Sequence, residues 1–464
     1  MTATMTQANG PAPRPNPTEP RSYHFPAFER RTLSNGMRLV VAPVSKLPLV
    51  SITAVIDAGA SVEREGQDGV AALTAQLLLE GAAGLDGAAL TDRFERIGTS
   101  VDAHADWDSA TVSLTVLAEQ LPNALALVRD LVRAPEFPER EVARLKDERL
   151  AELLQLRAEP RALADEQFSR AVYAPTARYA TLAGGNATSV RALTREAVRG
   201  FYSERYRPST TTLVFAGDIT VDGATELAGA LFGDWRGDVA PTIERAVDAS
   251  PDTQLVRVVA KVDASQSEVR VGHAGLPRRH PDYFETTVMN AVLGGLFSSR
   301  INLNLREKHG YTYGAFSAFE WRRAAGPFVV QTAVKSDVTG ASVREILYEI
   351  ERMRSEEIRS DELTLATSYL DGVFPIRYET TSAIATALSN LVIHDLPERF
   401  YDDYRQRVRA VTTAEVLRAA QRHLHPDRLR IVVVGDPAVI TTPLTEIHGA
   451  PIETVTPDGT EVAA

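Results

Sequence analysis

Residues Ala192–Asp218 read ALTREAVRGFYSERYRPSTTTLVFAGD, and residues Ala410–Asp436 read AVTTAEVLRAAQRHLHPDRLRIVVVGD. The two stretches align without a gap at an offset of 218, matching Ala192 with Ala410, Thr194 with Thr412, Pro208 with Pro426 and Gly217-Asp218 with Gly435-Asp436. In each, a threonine stands where a helix with amphipathic spacing begins, a proline breaks the helix, and a β-branched run ends in Gly-Asp. Upstream, Phe137-Pro-Glu-Arg-Glu resembles Ile358-Arg-Ser-Asp-Glu at an offset of 221, each before a long helical pattern. Repeat units of this length are whole domains rather than turns of a solenoid. The chain is a duplicated pair.

Working outward, each half carries the same coarse order. The first opens on a hairpin signal at Asn35-Gly36, followed by a strand over Leu49–Ala58 and helices over Gly69–Glu80 and Ala88–Ile97. Strands over Ser100–Ala105 and Ala110–Leu117 come next. Helices over Glu119–Arg133, Glu139–Leu156, Arg161–Val172 and Glu196–Arg205 lead to a closing strand, Thr211–Ala216. The second half repeats this between Leu255 and Gly435. Strands and helices come in clusters rather than strict alternation, which predicts α+β halves with helices packed on a mostly antiparallel sheet. Five prolines between Pro11 and Pro20 predict a disordered tail over residues 1–26. The remaining expected boundaries are a first half at 27–235, a linker at 236–253, a second half at 254–445 and a C-terminal tail at 446–464.

Composition sets limits on function. The 464 residues are 44% hydrophobic and 24% charged, enough to build large cores. Fifty Lys+Arg against 61 Asp+Glu leave a net charge of −11, which argues against a nucleic-acid partner. Only Lys46, Lys146, Lys261, Lys308 and Lys335 are lysine, a compositional bias. Without cysteine, disulfides, thiol nucleophiles and iron–sulfur ligation are excluded. Apolar runs such as Leu77–Leu79 are far too short to span a membrane, so no membrane partner is expected. No basic start leads into an apolar core, which predicts a cytoplasmic chain, although the lack of cysteine also suits a periplasmic one.

Several motifs are missing. There is no G-x-S-x-G elbow and no G-K-[ST] loop. Gly81-Ala-Ala-Gly84-Leu-Asp-Gly87 has the wrong glycine spacing for a dinucleotide fingerprint and reads as a flexible connection between helices. His423 and His425 form one close pair, and near a helix end their positive charge would complement the dipole better than a metal.

The duplicated unit resembles the insulinase-like, or pitrilysin, family of zinc metallopeptidases over roughly residues 28–445. The family opens with a strand, then G-x-x-x-E, then a helix bearing H-x-x-E-H. Here Gly59-Ala-Ser-Val-Glu63 precedes Gly69-Val-Ala-Ala-Leu-Thr-Ala-Gln-Leu-Leu-Leu-Glu-Gly81. At the family's two histidines and glutamate this chain has Ala72, Gln76 and Ala75. Alanine offers no donor atom, and a neutral amide is a poor zinc ligand and no base. Glu152 stands at the place of the third ligand, and one carboxylate does not hold zinc alone. No metal or other cofactor is therefore expected in this chain, and no peptide hydrolysis by it alone.

The second half resembles the family differently. Ser298-Ser-Arg300-Ile-Asn-Leu-Asn-Leu-Arg306-Glu-Lys-His-Gly310-Tyr-Thr-Tyr313-Gly is similar to the family's S-R-L…R-E-K-x-G-x-x-Y stretch. The resemblance implies that Arg306 and Tyr313 hydrogen-bond the substrate backbone near the scissile bond, which suits a guanidinium and a phenol. It also places Arg306 at a helix end, Gly310 as the αL cap and Tyr313 on the next strand, with Arg300 structural. Read without the resemblance, Arg306 could simply complement a helix dipole and Tyr313 could simply pack. Gly294-Gly295 is only two glycines long, so the extended glycine-rich loop of the non-catalytic subunits of mitochondrial processing peptidase is absent.

In two-chain members one subunit carries H-x-x-E-H and the other the Arg/Tyr pair. The resemblance thus implies a non-catalytic, substrate-binding subunit of a heterodimeric metallopeptidase. Its partners would be a zinc-bearing H-x-x-E-H subunit and a peptide or unfolded segment held in a closed chamber. The alternative is a structural or assembly protein derived from the same fold.

Overall fold

The computed structural model describes residues 21–237, 240–241, 248–250, 253–447 and 450–460. The hairpin around Asn35-Gly36 forms as expected. Strands β1 (Glu29–Thr32) and β2 (Arg38–Pro43) flank it, and Asn35 ties it to the Phe232 and Trp235 carbonyls at 2.7 and 3.2 Å. Then follow β3 (Leu49–Ile56), a small hairpin of β4 (Gly81–Ala82) and β5 (Leu85–Asp86), β6 (Asp102–Ala105), β7 (Ala110–Leu117) and β8 (Thr211–Gly217). The second half contributes β9 (Leu255–Ala260), β10 (Gln266–Ala274), β11 (Ala315–Phe319), β12 (Pro327–Lys335), β13 (Arg430–Gly435) and β14 (Ile452–Val455).

Two six-stranded sheets result, ordered β1-β2-β8-β3-β7-β6 and β14-β9-β13-β10-β12-β11. Position by position they match, except that the outer strand pairs antiparallel in the first (β1–β2) and parallel in the second (β14–β9). In each, the strand after the repeat's proline (β8, β13) sits in the middle, parallel to one neighbour and antiparallel to the other. Only β2–β8, β9–β13 and β9–β14 run parallel, so the sheets are mostly antiparallel, and helices cover them in the expected α+β arrangement. The repeat's details hold as well. Thr194 and Thr412 cap their helices, accepting from Ala197 and Glu415 N–H at 3.2 and 3.3 Å. Gly217 (φ +142°) is required, because a Cβ there would lie 2.1 Å from the Leu49 carbonyl oxygen.

The halves exchange helices. Thr381–Ile393, from the second half, lies across β3 and β8, and Pro160–Val172, from the first, lies across β9, β10 and β13. The contact is intimate: the Phe168 ring sits over Gly272 of β10, where a Cβ would be 2.9 Å from its Cζ. This explains why β8 is buried at every residue and β3 at all but its first, whereas β7 keeps alternation. Polar contacts pin the seam. Arg323 donates from its backbone to Asp108 at 2.8 Å and pairs with Asp57, Tyr173 donates to the Ala325 carbonyl at 2.9 Å, and the Arg322 guanidinium lies between the Trp107 and Tyr179 rings.

Four expectations change. Residues 1–20 of the expected tail lie outside the described residues, but the tail's last part is docked: Phe25 is buried, stacked on Tyr401 at 4.7 Å, and Arg405 donates to the Arg21 carbonyl. The expected C-terminal tail supplies β14, which completes the second sheet where β1 completes the first. Gly81–Gly87 is no flexible connection, since β4 and β5 pair there. The described end of the linker is fixed too, because Ser250 and Ala174 bond across to Val172 and Asp248. Among the described residues no helix is long and apolar enough to cross a membrane.

Candidate functional site

In the first half a buried ion pair frames the helix that carries Ala72, Ala75 and Gln76. Helix Val70–Leu77 starts at Gly69, and its open N–H groups are met by Glu63, whose Oε1 accepts from Gly69 and Ala71 at 3.0 and 2.8 Å. The other oxygen of Glu63 takes the Arg178 guanidinium at 2.7 Å, and both side chains are fully buried. Arg178 also donates to the carbonyls of Thr181, Leu182 and Ala183, so one ion pair orients the helix and the following loop together.

Ala72, Gln76 and Glu152 line one cavity of about 200 Å³, beside Ala105 of the free-edged strand β6. The expected juxtaposition of positions 72, 76 and 152 is thus present. Ala75 is absent from that lining and is fully buried in the first core. Glu152 does not wait for a metal: its Oε2 takes Arg149 Nη1 at 3.0 Å, and Arg149 Nε donates to the Gly184 carbonyl. A methyl group, an exposed amide and a carboxylate already paired with a guanidinium do not make a zinc site. Zinc does not fit this donor set.

In the second half, Arg306 lies in a segment wound as π-helix, Leu303–Lys308, closed by Gly310 in the left-handed region (φ +66°). Its guanidinium stacks 4.4 Å over the Phe297 ring and lies 3.6 Å from Glu307. Tyr313 is not on a strand, as expected, but in the loop two residues before β11, because Thr312 and Gly314 turn the chain there. The Thr312 hydroxyl accepts from Gly314 N–H at 3.1 Å and from Thr332 at 3.0 Å. With both neighbours fixed, the Tyr313 ring is thrown outward and is 95% exposed. Arg300 is buried against Glu362 through two bonds of 2.7 and 2.9 Å. Gly294 packs on Ser317, whose Oγ a Cβ would approach to 2.4 Å, so its reason is close packing.

His423 and His425 do not act as a pair. His425 N–H donates to His273 Nε2, while His423 Nε2 lies 2.7 Å from Asp282 Oδ2. Sequence reading missed that His280, Asp282 and His423 converge with donor atoms within 4.8 Å of one another. Arg422 already occupies the same Asp282 oxygen at 2.7 Å, so the cluster is charge-compensated. Separations of 141 and 115 residues, for His423–Asp282 and Arg178–Glu63, leave no local signal to find.

Comparison with known proteins agrees with this geometry. A family model described as insulinase (peptidase family M16) matches residues 40–185, and one described as peptidase M16 inactive domain matches 192–370. An uncharacterized zinc protease of Mycobacterium tuberculosis is 25% identical over 430 residues, covering 91% of this chain and 96% of that protein. The non-peptidase homolog YmxG of Helicobacter pylori is 24% identical, covering 84% and 90%. Among solved structures, the peptidase M16 inactive domain from Pseudomonas fluorescens superimposes with a TM-score of 0.83 at 25% identity, over 88% of this chain and 98% of its own. A duplicated sheet, matches of two family models to residues 40–185 and 192–370, and the likeness to a solved inactive domain converge: the chain belongs to the insulinase (M16) peptidase family, as a member of its inactive type.

Proposed function

We propose that this chain is the non-catalytic, substrate-binding subunit of a heterodimeric zinc metallopeptidase, with zinc and the general base supplied by an H-x-x-E-H partner. The observation that carries the reading is the state of Tyr313. A phenol 95% exposed on a turn anchored at both neighbours makes no hydrogen bond among the described residues. Arg306, about a third exposed, stands seven residues before it on the other side of the Gly310 cap. A guanidinium and a phenol are suited to a peptide carbonyl that becomes an oxyanion during attack. The free edge of β6 offers main-chain bonds to an extended peptide, which makes unfolded segments the substrate class.

The test is kinetic. With a co-expressed H-x-x-E-H subunit, Arg306→Ala or Tyr313→Phe lowers turnover ~10²–10³-fold while the complex and its zinc persist. If the pair holds peptide only in the ground state, the loss falls on KM instead. Wild-type kinetics in both variants, or failure to bind any such partner, overturns the reading in favour of a scaffold. The Phe297 ring beneath Arg306 is the one contact that favours the scaffold, since it gives the guanidinium a packing role.

A further inference from the structure

The degenerate site is more than a metal centre with ligands deleted. On helix Glu139–Ala158, Lys146, Arg149 and Glu152 follow at i, i+3 and i+6 and line the cavity together with Ala72 and Gln76. Lys146 Nζ is tied to the Arg191 and Leu193 carbonyls, at the C-terminal end of helix Ala187–Ala192. Arg149 lies against Gly184, where a Cβ would come within 2.7 Å of its Nη2. The glycine leaves room for the guanidinium, and the guanidinium in turn pairs with Glu152 at 3.0 Å.

We propose that Arg149 is the resident cation of this site, an internal replacement for the metal that satisfies Glu152 and excludes a divalent ion. A fixed positive charge on the one remaining ligand opposes a second cation at short range, and Lys146 beside it adds to the barrier. Restoring the lost donors is therefore insufficient. The inference concerns this chain's own side chains and stands whether or not it serves a catalytic partner.

The experiment compares Ala72→His/Gln76→His with the same pair plus Arg149→Ala in the full chain, leaving buried Ala75 alone. Zinc per chain is measured after dialysis, and cobalt(II) is added to read the visible spectrum of a tetrahedral centre. The expected result is about one tightly held ion only when Arg149 is removed, with affinity at least ~100-fold above the variant that retains it. Equal affinity in the two variants overturns the proposal, as does failure of both to bind. Should the Ala72 change unfold the chain, Gln76→His alone gives a second contrast, because Gln76 is exposed. Zinc titration then shows ~10-fold tighter binding with Arg149→Ala than without it, and no difference overturns the proposal.

Discussion

In the first half the helix at the place of the family's zinc motif is held by a buried ion pair and carries no donor at 72, whereas in the second half Arg306 and Tyr313 stand partly and almost wholly exposed on an irregular segment. Glu63 and Arg178 still aim helix Val70–Leu77 as a metal helix must be aimed, yet positions 72 and 76 have nothing to offer a metal. In the second half Arg306 and Tyr313 stand on an irregular π-helix and loop, held only by neighbours such as Thr312 and Phe297. A buried ion pair that satisfies two N–H groups at a helix start carries fold energy whatever the helix holds at 72 and 76, whereas exposed side chains on a loop carry little.

The comparison breaks first at that ion pair. Glu63→Ala leaves the fully buried Arg178 with only Asp68, at 3.5 Å, as a carboxylate partner among the described residues and should cost ~3 kcal/mol in denaturant unfolding. A loss below ~1 kcal/mol means that the frame is dispensable. Second comes the exchanged helix. Phe168→Ala removes a buried ring that packs with Val259, Val432 and Val434 of the second sheet and should cost ~3–5 kcal/mol. Its signature is where the loss falls: hydrogen exchange should speed in β9, β10 and β13, across the linker from the substituted residue. Protection lost only in the first sheet contradicts the exchange.

Third, acid distinguishes the halves. His273 is buried in β10, its Nδ1 donating to the Ala274 carbonyl and its Nε2 accepting from His425 N–H. Burial holds its pKa down, at about 4, whereas His104 of the first half lies exposed. The unfolded chain takes up this proton first as pH falls. Stability from this group is therefore full above ~6.5, declines by about 3 kcal/mol between 6.5 and 4, and is flat below. Pressed through that window, the second half should lose exchange protection first, and His273→Gln should remove about half of the pH dependence, leaving that of His394, which burial also holds at about 4.

The smallest effect compares the two repeat caps. Thr412 has a reciprocal partner, since Glu415 accepts from Thr412 N–H at 2.9 Å, and the helix capped by Thr194 has no such capping box. Thr194→Ala and Thr412→Ala should each cost ~1 kcal/mol, with the second the larger. A larger loss at Thr194 reverses the ranking.

Much of this was legible in the residues. The offset of 218 anticipated two sheets of one order, and the gapless match placed β8 and β13 in equivalent positions. The degenerate helix and Glu152 were readable through the family resemblance, whose H-x-x-E-H motif and later glutamate fall on Ala72, Ala75, Gln76 and Glu152. What stayed hidden depends on distance. Helical periodicity says that Thr381–Ile393 has an apolar face but not that the face belongs to the other half's sheet. Arg149 looked like any surface arginine until Gly184, 35 residues on, was seen to make room for it. Tyr313 was expected on the strand that follows the Gly310 cap, but the Thr312–Gly314 turn delays that strand to Ala315.

The helix exchange also sets a schedule for synthesis. The last strand of the first sheet ends at Gly217, and the helix that covers its second face ends at Ile393, 176 residues later. At a translation rate of ~5–20 residues per second, that face is complete but uncovered for roughly 10 to 35 s. Through that interval the nascent chain presents Val55, Val214 and Ala216, all buried in the finished protein, to whatever the ribosome's surroundings contain. The first half cannot finish burying that face until the second half arrives to close it.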